Sequence, residues 1–205
     1  MDKTVHFQDE IYLPINTEIT TEMLEGEQAI CVLKGEHIIE YDEPTYAKLL
    51  NCDFHNGIIK VKVLSRILQD APELARGFIG LAFRINEDDT QFESIYIRPT
   101  NGRCELQKRR NCSTQYFSYP NHKYNQLRIE APGEYESYAD MGLDEWIDFK
   151  IEVIDTRAKL YLHNSKYPVL IVNDLKLGAH QKGSIGLWVD VGTQGFFKDL
   201  RITHF

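Results

Sequence analysis

The segment 98–128 concentrates side chains that bind polar or anionic ligands. It carries seven cations and one acid, Glu105, a net charge of +6 in a chain whose other residues carry −14. The cations are Arg98, Arg103, Lys108, Arg109, Arg110, Lys123 and Arg128, and they are interleaved with Asn101, Gln115, Tyr116, Phe117, Tyr119 and Tyr124. Guanidinium and amide groups hydrogen-bond hydroxyls at fixed geometry, rings stack on sugar faces, and arginine binds carboxylate or phosphate through paired bonds. Two interpretations stay open: a polar ligand site, or an ordered loop whose arginines pair with the acidic remainder of the surface.

Glu93 is the candidate catalytic acid or base. Strict alternation in the run FESIYIR (92–98) places Tyr96 and Arg98 on a ligand face, and Glu93 on the core face with the two isoleucines. A bulge at the start of the strand would turn Glu93 back towards a ligand. A half-buried carboxylate near Arg84 or Arg98 is a poised acid or base, but it is equally a structural ion pair.

Two strands carry small residues opposite their apolar faces. Gly80 and Ala82 precede Arg84 on one strand, and Gly186 lies beside Trp188 on another. A sheet face that is small, aromatic and polar can curve and receive a ligand, so we expect these residues to line a concave face. Trp188 is then either a platform for a sugar ring or a ring that packs beneath a loop.

Strand periodicity dominates the chain. Alternating apolar residues predict strands at 57–65, 77–86, 92–98, 146–154, 158–163, 183–191 and 196–205. Only 43–51, where Pro44 suits a first helical position, suggests a helical turn. Many short strands without helical crossovers predict an all-β fold, a two-sheet antiparallel jelly-roll sandwich. We expect one domain over 1–205, with an N-terminal strand or extension at 1–24 and a long basic loop at 98–128.

Composition limits the function. The chain has 205 residues, 42% of them hydrophobic and 26% charged, and its net charge of −8 argues against a general binder of nucleic acid or anionic membranes. The first ten residues lack the apolar run of a secretory signal, so we expect a cytoplasmic protein. The four cysteines are scattered without a CxxC pair, which favours free thiols. The acidic run 87–89 lacks calcium-loop spacing, and no motif predicts a metal or a cofactor.

The order of several short motifs resembles a known superfamily. They are NGIIKV (56–61), GFIGLAFR (77–84), FESIYIR (92–98), WIDFKI (146–151), AKLYL (158–162), GLWV (186–189) and FFKDLRI (196–202). From about residue 25 to the end, the chain resembles the concanavalin A-like lectin/glucanase (laminin G-like) jelly roll. It is nearest to a bacterial branch of glycoside hydrolase-like proteins that includes the 3-keto-disaccharide hydrolases.

This resemblance implies a ligand on the concave sheet or in the loops at its rim. Family-16 glucanases of this fold project two or more acids from one strand, whereas the comparable strand here offers only Glu93. Retaining hydrolysis needs a second carboxyl group roughly 5 Å away. The fold hosts lectins, glucanases, lyases and protein-binding modules, so it does not decide between binding and turnover.

We therefore expect a carbohydrate-binding or carbohydrate-processing domain. The expected partner is an oligosaccharide or sugar derivative, neutral or anionic, without nucleic acid or membrane, and a homo-oligomer stays open. The expected binding residues are Arg84, Tyr96, Arg98, Asn101, Arg103, Arg110, Gln115, Tyr116, Tyr119 and Trp188. The alternatives are a glycoside-cleaving hydrolase or lyase that uses Glu93, and a protein-interaction or dimerisation module without a sugar ligand.

Overall fold

A computed structural model describes residues 2–4 and 11–205, and it confirms the predicted sandwich. Part of the expected N-terminal extension, residues 1 and 5–10, lies outside the described residues. The first sheet has the order β13-β12-β11-β6-β15-β4-β3, with β1 also paired to β15. Its strands are β1 (Asp2–Thr4), β3 (Thr17–Leu24), β4 (Glu27–Lys34), β6 (Gly57–Ile67), β11 (Ile147–Ile154), β12 (Arg157–Leu162), β13 (Leu170–Val172) and β15 (Thr193–His204).

The second sheet has the order β10-β9-β8-β7-β14-β5-β2. Its strands are β2 (Tyr12–Ile15), β5 (Tyr46–Leu49), β7 (Ile79–Ile85), β8 (Phe92–Ile97), β9 (Thr114–Tyr119), β10 (Glu136–Ser137) and β14 (Ser184–Val189). The strand pairs of both sheets are antiparallel, for example the β6–β11 pair of the first sheet and the β7–β8 pair of the second. Three short helices complete the described residues: α1 (Pro99–Gly102), α2 (Gln107–Arg110) and α3 (Tyr124–Glu130).

The two sheets differ in what covers their outer faces. In β11 of the first sheet, Ile147, Phe149, Ile151 and Val153 are buried, while the residues between them are partly exposed. Such alternation is typical of a sheet with one face on the core and one in water. In β7, β8 and β14 of the second sheet every residue is buried. The second sheet is therefore covered on both faces, and its far face is not the open concave surface expected from the sequence.

The helical turn expected at 43–51 is wrong. Strand β5 occupies this region and pairs with β2 on one side and β14 on the other. All four of its residues are buried. The position of Pro44 is compatible with a helix start, but burial between two strands overrides that local preference.

The segment 98–128 is not one long loop. It contains α1, α2, strand β9, which is second from one edge of its sheet, and most of α3. Strand β9 pairs with β8 along its whole length and with β10 at its start. Its sequence, TQYFSY, shows no apolar alternation because both of its faces are covered, so the usual periodic signal is missing.

Gly80 explains how aromatic rings fit on the far face of the second sheet. It pairs with Tyr96 on β8 and with Trp188 on β14. The two rings lie with their centroids 4.8 Å apart. A Cβ atom at Gly80 would lie 2.3 Å from the Ile95 carbonyl oxygen, so only glycine allows this approach.

None of the four cysteines forms a disulfide in the part of the chain that the structure describes, as expected. Among the helices of residues 2–4 and 11–205, none has the length and apolar character needed to cross a bilayer.

Candidate functional site

A cavity of about 590 Å³ opens at the end of β8, where the chain leaves the second sheet and enters α1. Its walls come from the segment before β5, the segment before β7, the three short helices and the start of β10. We call it the basic cavity. Its lining residues are Tyr41, Leu74, Arg76, Phe78, Tyr96, Arg98, Asn101, Lys108, Arg109, Cys112, Tyr124, Arg128, Pro132, Gly133 and Glu136.

Aromatic rings form one side of the basic cavity. Phe78 meets Tyr96 edge-on at 6.0 Å, and Tyr41 meets Tyr124 edge-on at 6.3 Å. Tyr41 and Tyr124 are partly exposed, so their rings are accessible to a ligand. Trp188 lies beneath Tyr96 with no exposed surface, and its indole nitrogen donates to the Glu43 carbonyl oxygen at 2.9 Å. Of the two interpretations of Trp188, its position favours packing beneath the site.

Arg98 lies at the base of the basic cavity and is only 5% exposed. Its guanidinium donates to the Tyr96 hydroxyl at 2.7 Å, the Cys112 carbonyl oxygen at 3.0 Å, the Gln115 Oε1 at 3.1 Å and the Glu136 Oε1 at 3.2 Å. Three aromatic rings also lie within 6.0 Å of its central carbon. A buried charge needs such partners, and here they hold the guanidinium in one orientation.

Glu136 is the carboxylate of the basic cavity lining. One of its oxygens, Oε1, accepts hydrogen bonds from both Arg98 and Arg128. Burial would raise the pKa of Glu136, but the hydrogen bonds and charges of Arg128 and Arg98 outweigh it and lower that pKa. Glu136 is therefore ionised at neutral pH, and it compensates one of the two guanidinium charges.

Asp42 lies behind the cavity wall with no exposed surface. Its Oδ2 accepts the backbone N–H of Tyr124 at 2.7 Å, and its own N–H donates to the Asp190 Oδ2 at 3.0 Å. Its Oδ1 has no hydrogen-bond partner in the described residues. Burial, followed by the charge of Asp190, raises the pKa of Asp42 to about 7. Asp42 thus orients the cavity residue Tyr124 through this hydrogen bond. It is also the next residue in the chain after Tyr41, which lines the cavity too.

The predicted site residues separate into two groups. Tyr96, Arg98 and Asn101 line the basic cavity, and Gln115 lies directly behind Arg98 as its hydrogen-bond acceptor. The remaining seven do not line it: Arg84, Glu93, Arg103, Arg110, Tyr116, Tyr119 and Trp188.

Glu93 lies in the interior, with no exposed surface. It accepts the Tyr116 hydroxyl at 2.6 Å and the Leu177 N–H at 2.8 Å. Burial raises the pKa of Glu93, opposed by these two hydrogen bonds and by the charge of Arg84. The inward orientation is the one that strict alternation along β8 predicts, and these contacts are those of a structural residue.

Arg84 is turned away from the basic cavity by its backbone. Its φ of +54° lies in the left-handed region, beside an irregularity in the β7–β14 pairing. Its guanidinium donates to three carbonyl oxygens and one amide oxygen, those of His55, Gly178, Asp155 and Asn56. With no exposed surface and this set of partners, Arg84 joins loops at the far end of the strands.

Of the remaining four residues, Tyr116 is fully buried beside Glu93, and the other three lie on the surface or against the sheet. Arg103 pairs with Asp140 and Glu145 in an exposed network, and Arg110 donates to the Tyr138 hydroxyl. Tyr119 stacks on Phe92, with ring centroids 5.1 Å apart. Arg103 therefore follows the interpretation in which arginines of the basic segment pair with surface acids.

Sequence reasoning missed several residues of the basic cavity. Arg109, Arg128 and Tyr124 were part of the basic segment, but nothing in their spacing separated them from Arg103 or Arg110. Tyr41 and Arg76 come from segments with no signal of their own. The only available signal was the charge of the segment.

The fold and the cavity together define a two-sheet antiparallel β-sandwich with a basic, aromatic cavity at one end of its second sheet. No family model matches the chain, and no curated protein matches it in sequence. Among solved structures it is similar to the carbohydrate-binding module CBM66 from Bacillus subtilis, with a TM-score of 0.56 and 13% identity over 93% of this chain and 97% of that one. It is also similar to a putative glycosyl hydrolase from Parabacteroides distasonis, with a TM-score of 0.55 and 14% identity over 95% and 99% of the two chains.

A third similar structure is a Bacillus subtilis protein of unknown function with a galectin-like fold. It has a TM-score of 0.51 and 11% identity over 100% of this chain and 98% of that one. All three alignments span nearly the whole of both chains. At these identities they show the fold alone, the jelly-roll sandwich that the sequence predicted, and the function has to be argued from the site.

Proposed function

We propose that this chain is a carbohydrate-binding domain whose ligand occupies the basic cavity. The observation that carries the proposal is the juxtaposition of the accessible Tyr41 and Tyr124 rings with guanidinium groups in a cavity of about 590 Å³. Such a volume lies within the range of roughly 300–1,000 Å³ that small-ligand sites occupy. Rings can stack on the apolar face of a sugar while the arginines and Asn101 hydrogen-bond its hydroxyls. The similarity to a carbohydrate-binding module supports the same function at the level of the fold.

The carboxylates favour binding over glycosidic cleavage. Hydrolysis by two carboxyl groups needs them about 5 Å apart for retention, or roughly 6.5–9.5 Å apart for inversion. Within the described residues, Glu136 is the one carboxylate that lines the basic cavity, and its lowered pKa makes it a poor proton donor. Glu93, the expected catalytic residue, is buried elsewhere.

Isothermal titration calorimetry with a panel of neutral and acidic oligosaccharides tests the proposal. For whichever sugar binds, we expect Tyr124→Ala to weaken the affinity on the order of tenfold, because a stacked ring contributes about 1–1.5 kcal/mol. Tyr167→Ala is the matched control, since Tyr167 is exposed and does not line the cavity. Circular dichroism verifies that both variants fold. The proposal fails if no sugar binds, or if the two variants bind it equally well.

A further inference from the structure

We infer that the sugar carries a carboxylate, and that Arg76 and Arg109 form the subsite that binds it. This inference rests on the proposed function and specifies the class of its ligand. The two arginines lie in different segments of the chain, and the sequence did not identify them as a pair. Arg76 precedes β7, and Arg109 belongs to α2.

The basic cavity has more positive than negative charge. Five cations line it, Arg76, Arg98, Lys108, Arg109 and Arg128, against the single carboxylate of Glu136. That carboxylate is already shared between two of them, Arg98 and Arg128. Three cations of the lining are therefore left without a carboxylate within ion-pair distance in the described residues.

Within residues 2–4 and 11–205, Arg76 and Arg109 hydrogen-bond only to neutral acceptors. Nη1 of Arg76 donates to the carbonyl oxygens of Glu73 and Ala75. Arg109 donates through Nε to the Asn101 Oδ1 at 3.0 Å and through Nη2 to the Thr100 Oγ1 at 3.2 Å. These contacts orient both guanidinium groups and leave further N–H donors on each for a ligand.

Arg76 and Arg109 line the same cavity and both contact Thr100, whose N–H donates to the Arg76 carbonyl oxygen at 3.3 Å and whose Oγ1 accepts from Arg109 Nη2 at 3.2 Å. Burial and then the charge of Arg109 lower the pKa of Arg76, and the charge of Arg98 acts in the same direction. The Glu73 carboxylate opposes this effect from beyond ion-pair distance. An anion between Arg76 and Arg109 would relieve the repulsion and be bound by charge-assisted hydrogen bonds.

A carboxylate suits this subsite better than a phosphate. Arginine matches the planar carboxylate through paired hydrogen bonds. The same cavity already holds one carboxylate, that of Glu136, where Nε and Nη2 of Arg128 both donate to Oε1. Because Glu136 is ionised, a dianionic phosphate would meet stronger repulsion than a singly charged carboxylate. The ligand we infer is therefore an oligosaccharide that contains a uronic acid.

Paired titrations separate this inference from the proposed function. The probes are trigalacturonic acid and glucuronate-containing trisaccharides, their neutral methyl esters, and a sugar phosphate of similar size. We expect at least one acid to bind about 10- to 100-fold more tightly than its ester at low salt, with the difference shrinking at high salt. If ester and acid bind equally, the carboxylate assignment fails and the proposed function stands. If no probe and no member of the wider sugar panel binds, both fail. Preference for the phosphate overturns the choice of carboxylate.

Variants locate the subsite. Arg76→Gln and Arg109→Gln should each weaken binding of the acid by roughly tenfold or more and leave binding of the ester within about threefold. Arg201→Gln is the control, because it removes the same charge from an exposed position on β15 in the other sheet. Equal losses for acid and ester, or a loss in the control as large as in the two variants, would overturn the assignment. Thermal denaturation confirms that the variants compared are folded.

Discussion

Replacing Asp42 with asparagine should make the protein more stable at alkaline pH. The Asp42 carboxyl has no exposed surface, and its Oδ1 lacks a hydrogen-bond partner within the described part of the chain. Burial and the neighbouring Asp190 raise its pKa from 3.8 to about 7, although the Tyr124 N–H and the charges of Arg98 and Lys123 oppose the shift. Ionised Asp42 is therefore an unfavourable group in the folded protein.

The direction in which the free energy of unfolding changes with pH follows from when the folded and unfolded states bind the Asp42 proton. Below about pH 4 the Asp42 carboxyl is protonated in both states, and its full contribution to stability is present. As the pH rises towards 7, the unfolded chain releases this proton before the folded protein does, so the free energy of unfolding falls. The pKa difference of about 3 units corresponds to about 4 kcal/mol, all of it lost above pH 7. Asparagine carries no charge at any of these pH values.

Urea denaturation of the wild type and the Asp42→Asn variant from pH 4.5 to pH 8.5 measures this effect. We expect the variant to gain about 2–4 kcal/mol relative to wild type between the two ends of this range. Asp42 has a φ of +55°, which asparagine also tolerates, so the backbone is not strained by the exchange. Asp199→Asn is the control, since Asp199 is exposed with a φ of +59°. A stability difference that does not change with pH would refute the reasoning.

Two further substitutions test the interior of the second sheet. Glu93→Gln should lower the free energy of unfolding by about 1–3 kcal/mol, because the amide cannot accept both the Tyr116 hydroxyl and the Leu177 N–H as the carboxylate does; urea denaturation measures the loss. Sugar affinity should stay within twofold, and a variant that keeps its stability but loses a glycosidase activity would contradict the structural role. Gly80→Ala should cost about 1–3 kcal/mol, measured as a lower midpoint of thermal unfolding, because the added Cβ meets the Ile95 carbonyl oxygen. Gly133→Ala, where a Cβ meets nothing within 4 Å, reports the cost of positive φ alone, and an equal loss in both variants would contradict the packing argument.

The sequence predicted the strands that keep one apolar face. Strand β11 shows this best, because its outer residues are solvated and the alternation is complete. Strands β5 and β9 were missed for the opposite reason. Strands β7, β8 and β14 are also buried on both faces, but they keep alternating aliphatic residues that the sequence reveals. In β5 and β9, polar and aromatic residues such as Gln115 and Tyr46 are buried instead, and the period of two disappears. Only pairing with distant strands defines such segments.

The basic segment shows why charge alone could not delimit the site. Its arginines divide between the two interpretations that the sequence left open. Arg103 pairs with Asp140 and Glu145 on the surface, whereas Arg98 and Arg109 face the basic cavity. What separates them is the position of acids and carbonyl groups contributed by residues far along the chain. A segment with a net charge of +6 is compatible both with arginines that pair with surface acids and with arginines that line a cavity. A local excess of cations becomes a site only where the fold leaves some of them without carboxylate partners.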